Sequence, residues 1–265
     1  MFNFSLLKRA GKTNAKLWIA FTGILVLQML LVLSVYNPDA GMERVLHALP
    51  EGVAALLHIN METDTLVKYL AVSLFGFLYP VISMVYGILA ANRLVAKKVE
   101  SGTMAYLLSS PNGRGRIVNT QAFFLVFSLF VMFGCTAAAG LVFCVVCFPG
   151  KLDVTGFLLL HVGVFCLEIC LSGIGFLASC ISDESRYSLA LGAGISTIFL
   201  LLRMLADMGG GLEVLKFATI FTLFHTADIV DGSLNICWKF PLLAVIGFLF
   251  YWIGIAQFKK RDLPL

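Results

Sequence analysis

The stretch 154–181, VTGFLLLHVGVFCLEICLSGIGFLASCI, decides the fold class. It holds one carboxylate, Glu168, and neither Lys nor Arg. A helix needs about 20 predominantly apolar residues to cross the hydrocarbon core of a bilayer. A membrane-spanning β-strand would alternate apolar and polar residues. This run is long enough for the first and shows no alternation, so it reads as a transmembrane helix.

Runs of the same kind lie on both sides of it. Upstream are Leu17–Tyr36, Val67–Ala91 and a run within Gln121–Phe148. Downstream are Ser188–Leu205, shorter and glycine-rich at its start, and Pro241–Phe258. The first run is too long for a cleavable signal and no small-residue cleavage site follows it. The 265 residues are 60% hydrophobic and 13% charged, with a mean hydropathy of +0.95. A soluble domain is about half apolar and a quarter charged, so lipid must cover much of this surface. The expectation is an all-α polytopic membrane protein with six transmembrane helices, a single domain over 1–265.

Basic residues set the orientation. With the N-terminus in the cytoplasm, the inner segments hold Lys8, Arg9, Lys12, Lys16, Arg93, Lys97, Lys98, Arg114, Arg116, Arg186, Lys259, Lys260 and Arg261, most of the 19 Lys and Arg. Most of the 15 acids fall on the other side. Both termini are therefore expected in the cytoplasm. Residues 1–16 mix Phe2, Phe4, Leu6 and Leu7 with four cations and read as an amphipathic helix on the membrane surface. The loop 206–240 carries Leu212, Val214, Leu215, Phe217, Ile220, Phe221, Leu223 and Phe224 behind three glycines. That segment is too short and interrupted to span, so a surface or re-entrant helix is expected before the last span.

Enzyme signatures are missing. There is no G-x-x-x-x-G-K-[ST] phosphate loop, no H-E-x-x-H and no G-x-S-x-G. The seven cysteines lie mostly within apolar runs and read as small buried apolar groups. Cys144 and Cys147 form a C-x-x-C without a second pair or a nearby His, short of the roughly four ligands a structural metal site needs. The four His are scattered.

The segment between the second and third runs, 92–117, is the informative one. A short helix over Gly102–Leu108 is expected, with Met104, Leu107 and Leu108 at helical spacing and Pro111, Asn112 and Gly113 as its stop. Such a helix between two spans, flanked by charge, suits docking of a separate subunit. The run KKVESGTMAYLLSSPNGRGRIV resembles the E-x-G-T-x-x-x-L-L-S-x-P-x-x-R-x-x-[IV] pattern of type-two ABC exporter permeases. The matching positions are Glu100, Gly102, Thr103, Leu107, Leu108, Ser109, Pro111, Arg114 and Val118. The ending Phe258, Lys259, Lys260, Arg261, Asp262, Leu263 is similar to that family's close.

The resemblance implies a dimeric permease, a homodimer or a pair with a related permease, in a bacterial plasma membrane. It also implies a separate ABC ATPase subunit that binds ATP and Mg, with no cofactor in this chain and no nucleic-acid partner. The loop would act as a coupling helix, with Glu100, Gly102, Thr103, Met104, Leu107, Leu108, Pro111 and Arg114 at the contact. The first and fifth spans would form the dimer surface.

Glu168 is the one acid deep in a run. A carboxyl there is costly and usually faces a bundle interior or a cavity. It reads either as part of a substrate or proton pathway, or as a structural group bonded to Ser172, Gln28 or Ser128. Gly134, Ala138, Gly173, Gly175, Gly192 and Gly194 would allow close helix approach. A second functional class is an ion-coupled transporter or channel using Glu168. Against it, no inverted repeat is visible.

Overall fold

The computed structural model describes residues 4–36, 65–108, 113–207, 214–215, 218–230 and 236–261. Among them every regular element is helical. In chain order these are α1 (Phe4–Val35), α2 (Leu66–Ser73), α3 (Leu78–Leu94), α4 (Ala96–Glu100), α5 (Thr103–Leu108), α6 (Arg114–Cys147), α7 (Val154–Ile181), α8 (Ser185–Asp207), a 3-10 turn (Ile220–Leu223), α9 (Thr226–Val230) and α10 (Ile236–Lys260). Among the described residues six segments are long and apolar enough to cross a membrane: Leu6–Val35, Leu78–Glu100, Arg114–Cys147, Val154–Ile181, Ser185–Asp207 and Trp238–Lys260. The chain is a multi-pass membrane protein.

The fourth span, α7, is the axis of the bundle, with α3, α6, α8 and α10 packed around it. Asp153 caps its start by accepting from the N–H groups of Thr155 and Gly156, at 3.0 and 3.1 Å. Small residues let its neighbours approach. A Cβ on Gly173 would lie 2.9 Å from the carbonyl oxygen of Gly247 on α10, and one on Gly192 of α8 would lie 3.2 Å from Gly175 Cα. Close backbone approach of this kind is the usual glue between helices in lipid. Gly134 and Gly194, by contrast, meet nothing within 4 Å.

The run expected as one span over Val67–Ala91 is two helices, with a break between Ser73 and Leu78. Pro80 has no N–H to offer the carbonyl of Gly76 four residues back, which removes a helical bond at that point. The ladder slips locally, so that Phe75 N–H reaches Leu70 O at 3.0 Å and Tyr79 N–H reaches Leu74 O at 3.2 Å. Only α3 continues as the span.

Residues 4–16 differ from the interfacial helix expected for 1–16. They continue without a break into the first span, as the first turns of α1. A helix of 32 residues is about 48 Å long at 1.5 Å per residue and outruns a core of about 30 Å. A helix this long either tilts in the bilayer or extends beyond its hydrocarbon core. Ala10 and Asn14 are buried against the bundle, and Trp18 Nε1 donates to the carbonyl of Ser128 on α6 at 3.0 Å.

At the opposite end, the 3-10 turn and α9 fold onto the spans. Phe221 and Phe224 are fully buried, and Phe224 and Phe240 close over Gly163 of α7. Lys239 of α10 pairs with Asp228, and Arg203 of α8 lies over the Phe221 ring at 5.7 Å. Among the cysteines, Cys144, Cys166, Cys170 and Cys180 are buried as expected, whereas Cys135 and Cys147 lie exposed on the third span.

Candidate functional site

The site is the basic end of the bundle, where α3 turns through α4 and α5 into α6. Helix α4 stops at Glu100 because Ser101 and Gly102 turn the chain. Gly102 has φ +68°, and a Cβ there would meet nothing within 4 Å. Glycine is needed for backbone conformation, not for space. Ser101 N–H bonds Lys97 O at 3.1 Å and Gly102 N–H bonds Val99 O at 3.0 Å, closing the helix end. Thr103, whose hydroxyl is in hydrogen-bond contact with that of Ser101, opens α5.

Of the three apolar residues at helical spacing on α5, Met104 and Leu107 turn toward the bundle, and the side chain of Leu108 lies outside those described. Met104 is 2% exposed and sits in the core, and Leu107 is partly buried against it. Among the described side chains of the helix Tyr106 projects, 81% exposed. The apolar spacing over Met104 and Leu107 anchors the helix to its own bundle, and so does not form a free docking stripe. Leu108 closes the helix, and Ser109 and Pro111 lie outside the described residues.

Charged side chains on the elements either side of this short helix, α4 and α6, are bonded to the other spans. The Glu100 carboxylate accepts from the backbone N–H of Ser185 at 3.3 Å, so it caps the start of α8. Asn92, at the end of α3, donates to the Ser185 hydroxyl at 2.7 Å. Arg114, at the start of α6, donates to the carbonyl of Arg261 at 3.0 Å. The guanidinium of Arg261 in turn donates to the carbonyls of Cys180 and Ser182, each at 3.0 Å, and pairs with Asp183. Phe258, one turn back, is fully buried. One bonded layer thus joins the α4–α5 turn, the α7–α8 turn and the end of α10. Glu100 thus connects α4 to α8, and Arg114 and Arg261 connect α6 to α10 and α7.

A family model described as ABC-2 family transporter protein matches residues 12–263. The chain belongs to the ABC-2 transporter family. It is the permease component of an ABC transporter, a membrane transport component rather than a catalytic subunit, and its family works with an ABC ATPase. No curated relative and no solved structure matches the permease significantly.

Sequence reasoning assigned Glu100, Gly102, Thr103, Met104, Leu107, Leu108, Pro111 and Arg114 to one contact; of these, Pro111 lies outside the described residues and the others lie on or beside α4, α5 and the start of α6. It missed Asn92, Asp183, Ser185 and the role of Arg261. The similarity of the chain's ending to the family's close was the available signal for Arg261. Nothing local to Ser185 announces that Glu100 caps it.

Glu168 stands apart from this layer. It is 0% exposed, at the middle of α7. Its Oε1 accepts from Ser83 Oγ of α3 at 2.8 Å, and its Oε2 has no partner among the described residues. The partner is therefore Ser83, not the expected Ser172, Gln28 or Ser128. Ser172 Oγ donates to the backbone carbonyl of Glu168 at 2.5 Å and shares a 2.8 Å bond with the Tyr251 hydroxyl of α10. Ser128 Oγ accepts from Tyr86 at 2.8 Å. These pairs stitch α3, α6, α7 and α10 together at mid-depth, where a satisfied polar pair holds helices that the hydrophobic effect does not.

Proposed function

We propose that this permease is the membrane subunit of an ATP-driven exporter in a bacterial plasma membrane, with both termini cytoplasmic. In this reading a separate ATPase subunit, which carries ATP and Mg, docks on the α4–α5 turn from Glu100 to Pro111. The observation that carries the reading is the build of α5. It is a short helix between two spans, with Met104 sunk in the bundle, Tyr106 presented outward, and bonds from Glu100 and Arg114 leading into three other spans. Closure of the ATPase on nucleotide would move α5, and the rigid layer would pass that motion to α8 and α10. Energy supplied in one chain must reach the transport path through such a contact.

The dimer is proposed to form on the first and fifth spans. Both leave an apolar stripe uncovered at helical spacing, Ile24, Leu27 and Leu31 on α1 and Leu191, Ile195 and Ile198 on α8. The ion-coupled reading is not favoured, because Glu168 is enclosed and held by Ser83.

Co-purification from cells in mild detergent tests the proposal. A phosphate-loop ATPase should come down with the tagged permease near one to one, and Tyr106→Asp should release it while the permease keeps its fold. A permease that purifies alone, or a Tyr106→Asp variant that still holds the ATPase as tightly, would overturn it.

A further inference from the structure

The basic end also contains a cleft that has α5, through Thr103, Tyr106 and Leu107, as one of its walls. We propose that this cleft binds the headgroup of an anionic phospholipid from the leaflet in which the basic end lies. Naming that leaflet as the cytoplasmic one rests on the orientation proposed above; the binding does not.

The cleft, of about 590 Å³, lies between the first turns of α1, the end of α3, α4, α5 and the start of α6. This is within the roughly 300–1,000 Å³ of small-molecule sites. Four cations line it, Arg9 from α1, Arg93 from α3, and Lys97 and Lys98 from α4, and no carboxylate does. Among the described residues none of the four is in an ion pair, and the charges of Arg9 and Lys98 act on each other unfavourably. Four cations elsewhere have carboxylate partners, Arg186 with Glu184, Arg203 with Asp207, Lys239 with Asp228 and Arg261 with Asp183; what sets the cleft apart is that four cations without one share a single hollow. Four cations around one hollow, from three elements, call for an anion supplied from outside the chain.

A second feature points to a ligand. Gln121, on the α6 wall of the cleft, is 1% exposed, and its Oε1 has no hydrogen-bond partner among the described residues. An enclosed amide oxygen left without a donor is costly, and a headgroup hydroxyl or ammonium would supply one.

The surroundings favour lipid over a soluble anion. Leu6, Ala10 and Leu107 give the cleft apolar lining. One wall is α1, whose next turns expose Ile19, Ile24 and Leu27 on the outside of the bundle. A phosphate seated among the four cations would leave its acyl chains along that apolar face. Basic pockets between spans at the cytoplasmic interface are where anionic headgroups bind. Occupancy would tie the start of α1 to α4 and α5, so lipid charge would bear on the helix that takes the ATPase.

Native mass spectrometry of the purified permease with added phosphatidylglycerol or phosphatidylcholine tests this without any ATPase. Its failure therefore leaves the docking reading standing, and the reverse also holds. One phosphatidylglycerol per chain should be retained in preference to phosphatidylcholine. The pair Arg9→Gln with Lys97→Gln should weaken retention roughly 30-fold, and either single change about fivefold. Arg9→Lys should keep it, as should Arg186→Gln at an exposed basic site elsewhere. Melting curves check the fold, and if the pair unfolds the single variants carry the reading. Equal retention of the two lipids, or unchanged retention in the glutamine variants, overturns the site. Displacement of the lipid by an equal concentration of glycerol 3-phosphate assigns the cleft to a soluble anion and overturns the lipid.

Discussion

The fourth and fifth spans are almost equally apolar, yet 78% of the most apolar window of α7 is buried within the bundle against 17% for α8. The difference lies in where small and polar residues fall. On α7, Gly163, Gly173, Gly175, Ser172, Ser179 and Glu168 occur around the helix, and between them they meet α3, α8 and α10. On α8, Ser188 and Gly192 mark one face only. The other face carries Leu191, Ile195, Ile198, Leu201 and Leu205, all exposed. Apolarity secures insertion, because lipid tails and a helix surface are alike to a Leu side chain. Which helices touch is decided by close approach and by satisfied polar pairs.

The sharpest way to break this comparison is to enlarge a small residue on each span. Gly173→Leu drives a side chain into the backbone of α10 at Gly247. It should cost more than about 3 kcal/mol, since such overpacking exceeds the usual 1–3. In detergent melting it should leave little folded permease. Gly194→Leu, which meets nothing within 4 Å, should change stability by less than about 0.5 kcal/mol, while weakening the dimer if α8 forms that surface. Equal effects on melting would sink the contrast.

Next in size is Arg261→Ala. It removes the donor to Cys180 O and Ser182 O and the pair with Asp183. A loss of about 2 kcal/mol is expected from charge-assisted bonds. Transport should fall more than ATPase binding, because the layer behind α5 is cut while its outer face is intact. Gly102→Ala comes third. The left-handed backbone at φ +68° should cost about 1 kcal/mol, shown by a lower melting temperature. The smallest effect belongs to Glu168→Gln. The amide oxygen can still accept from Ser83, so melting and transport should stay close to the parent. A variant that folds and assembles but does not transport would make Glu168 a working carboxylate.

Most of the architecture was legible before the structure. Hydropathy located all six spans, and α7 begins and ends where the run 154–181 does. The split at Ser73–Leu78 was written in Gly76 and Pro80, but an apolar run masks a break that lipid does not punish. The inward turn of Met104 was not legible. Spacing marks an apolar face, and a six-residue helix can turn that face to a partner or to its own bundle. The bond from Glu168 to Ser83 joins residues on different spans, and Ser128 or Ser172 offered the same chemistry. Likewise Arg9, Arg93, Lys97 and Lys98 counted toward orientation, but their convergence on one cleft needed the packing of α1 against α3.

The docking claim is tested most directly by photo-crosslinking in cells, with a photoreactive amino acid at Tyr106 and, separately, at Val146, exposed at the far end of α6. The account predicts a covalent adduct between position 106 and a subunit bearing a G-x-x-x-x-G-K-[ST] loop, and none from position 146. A permease that co-purifies with its ATPase but yields no adduct from position 106 would contradict it.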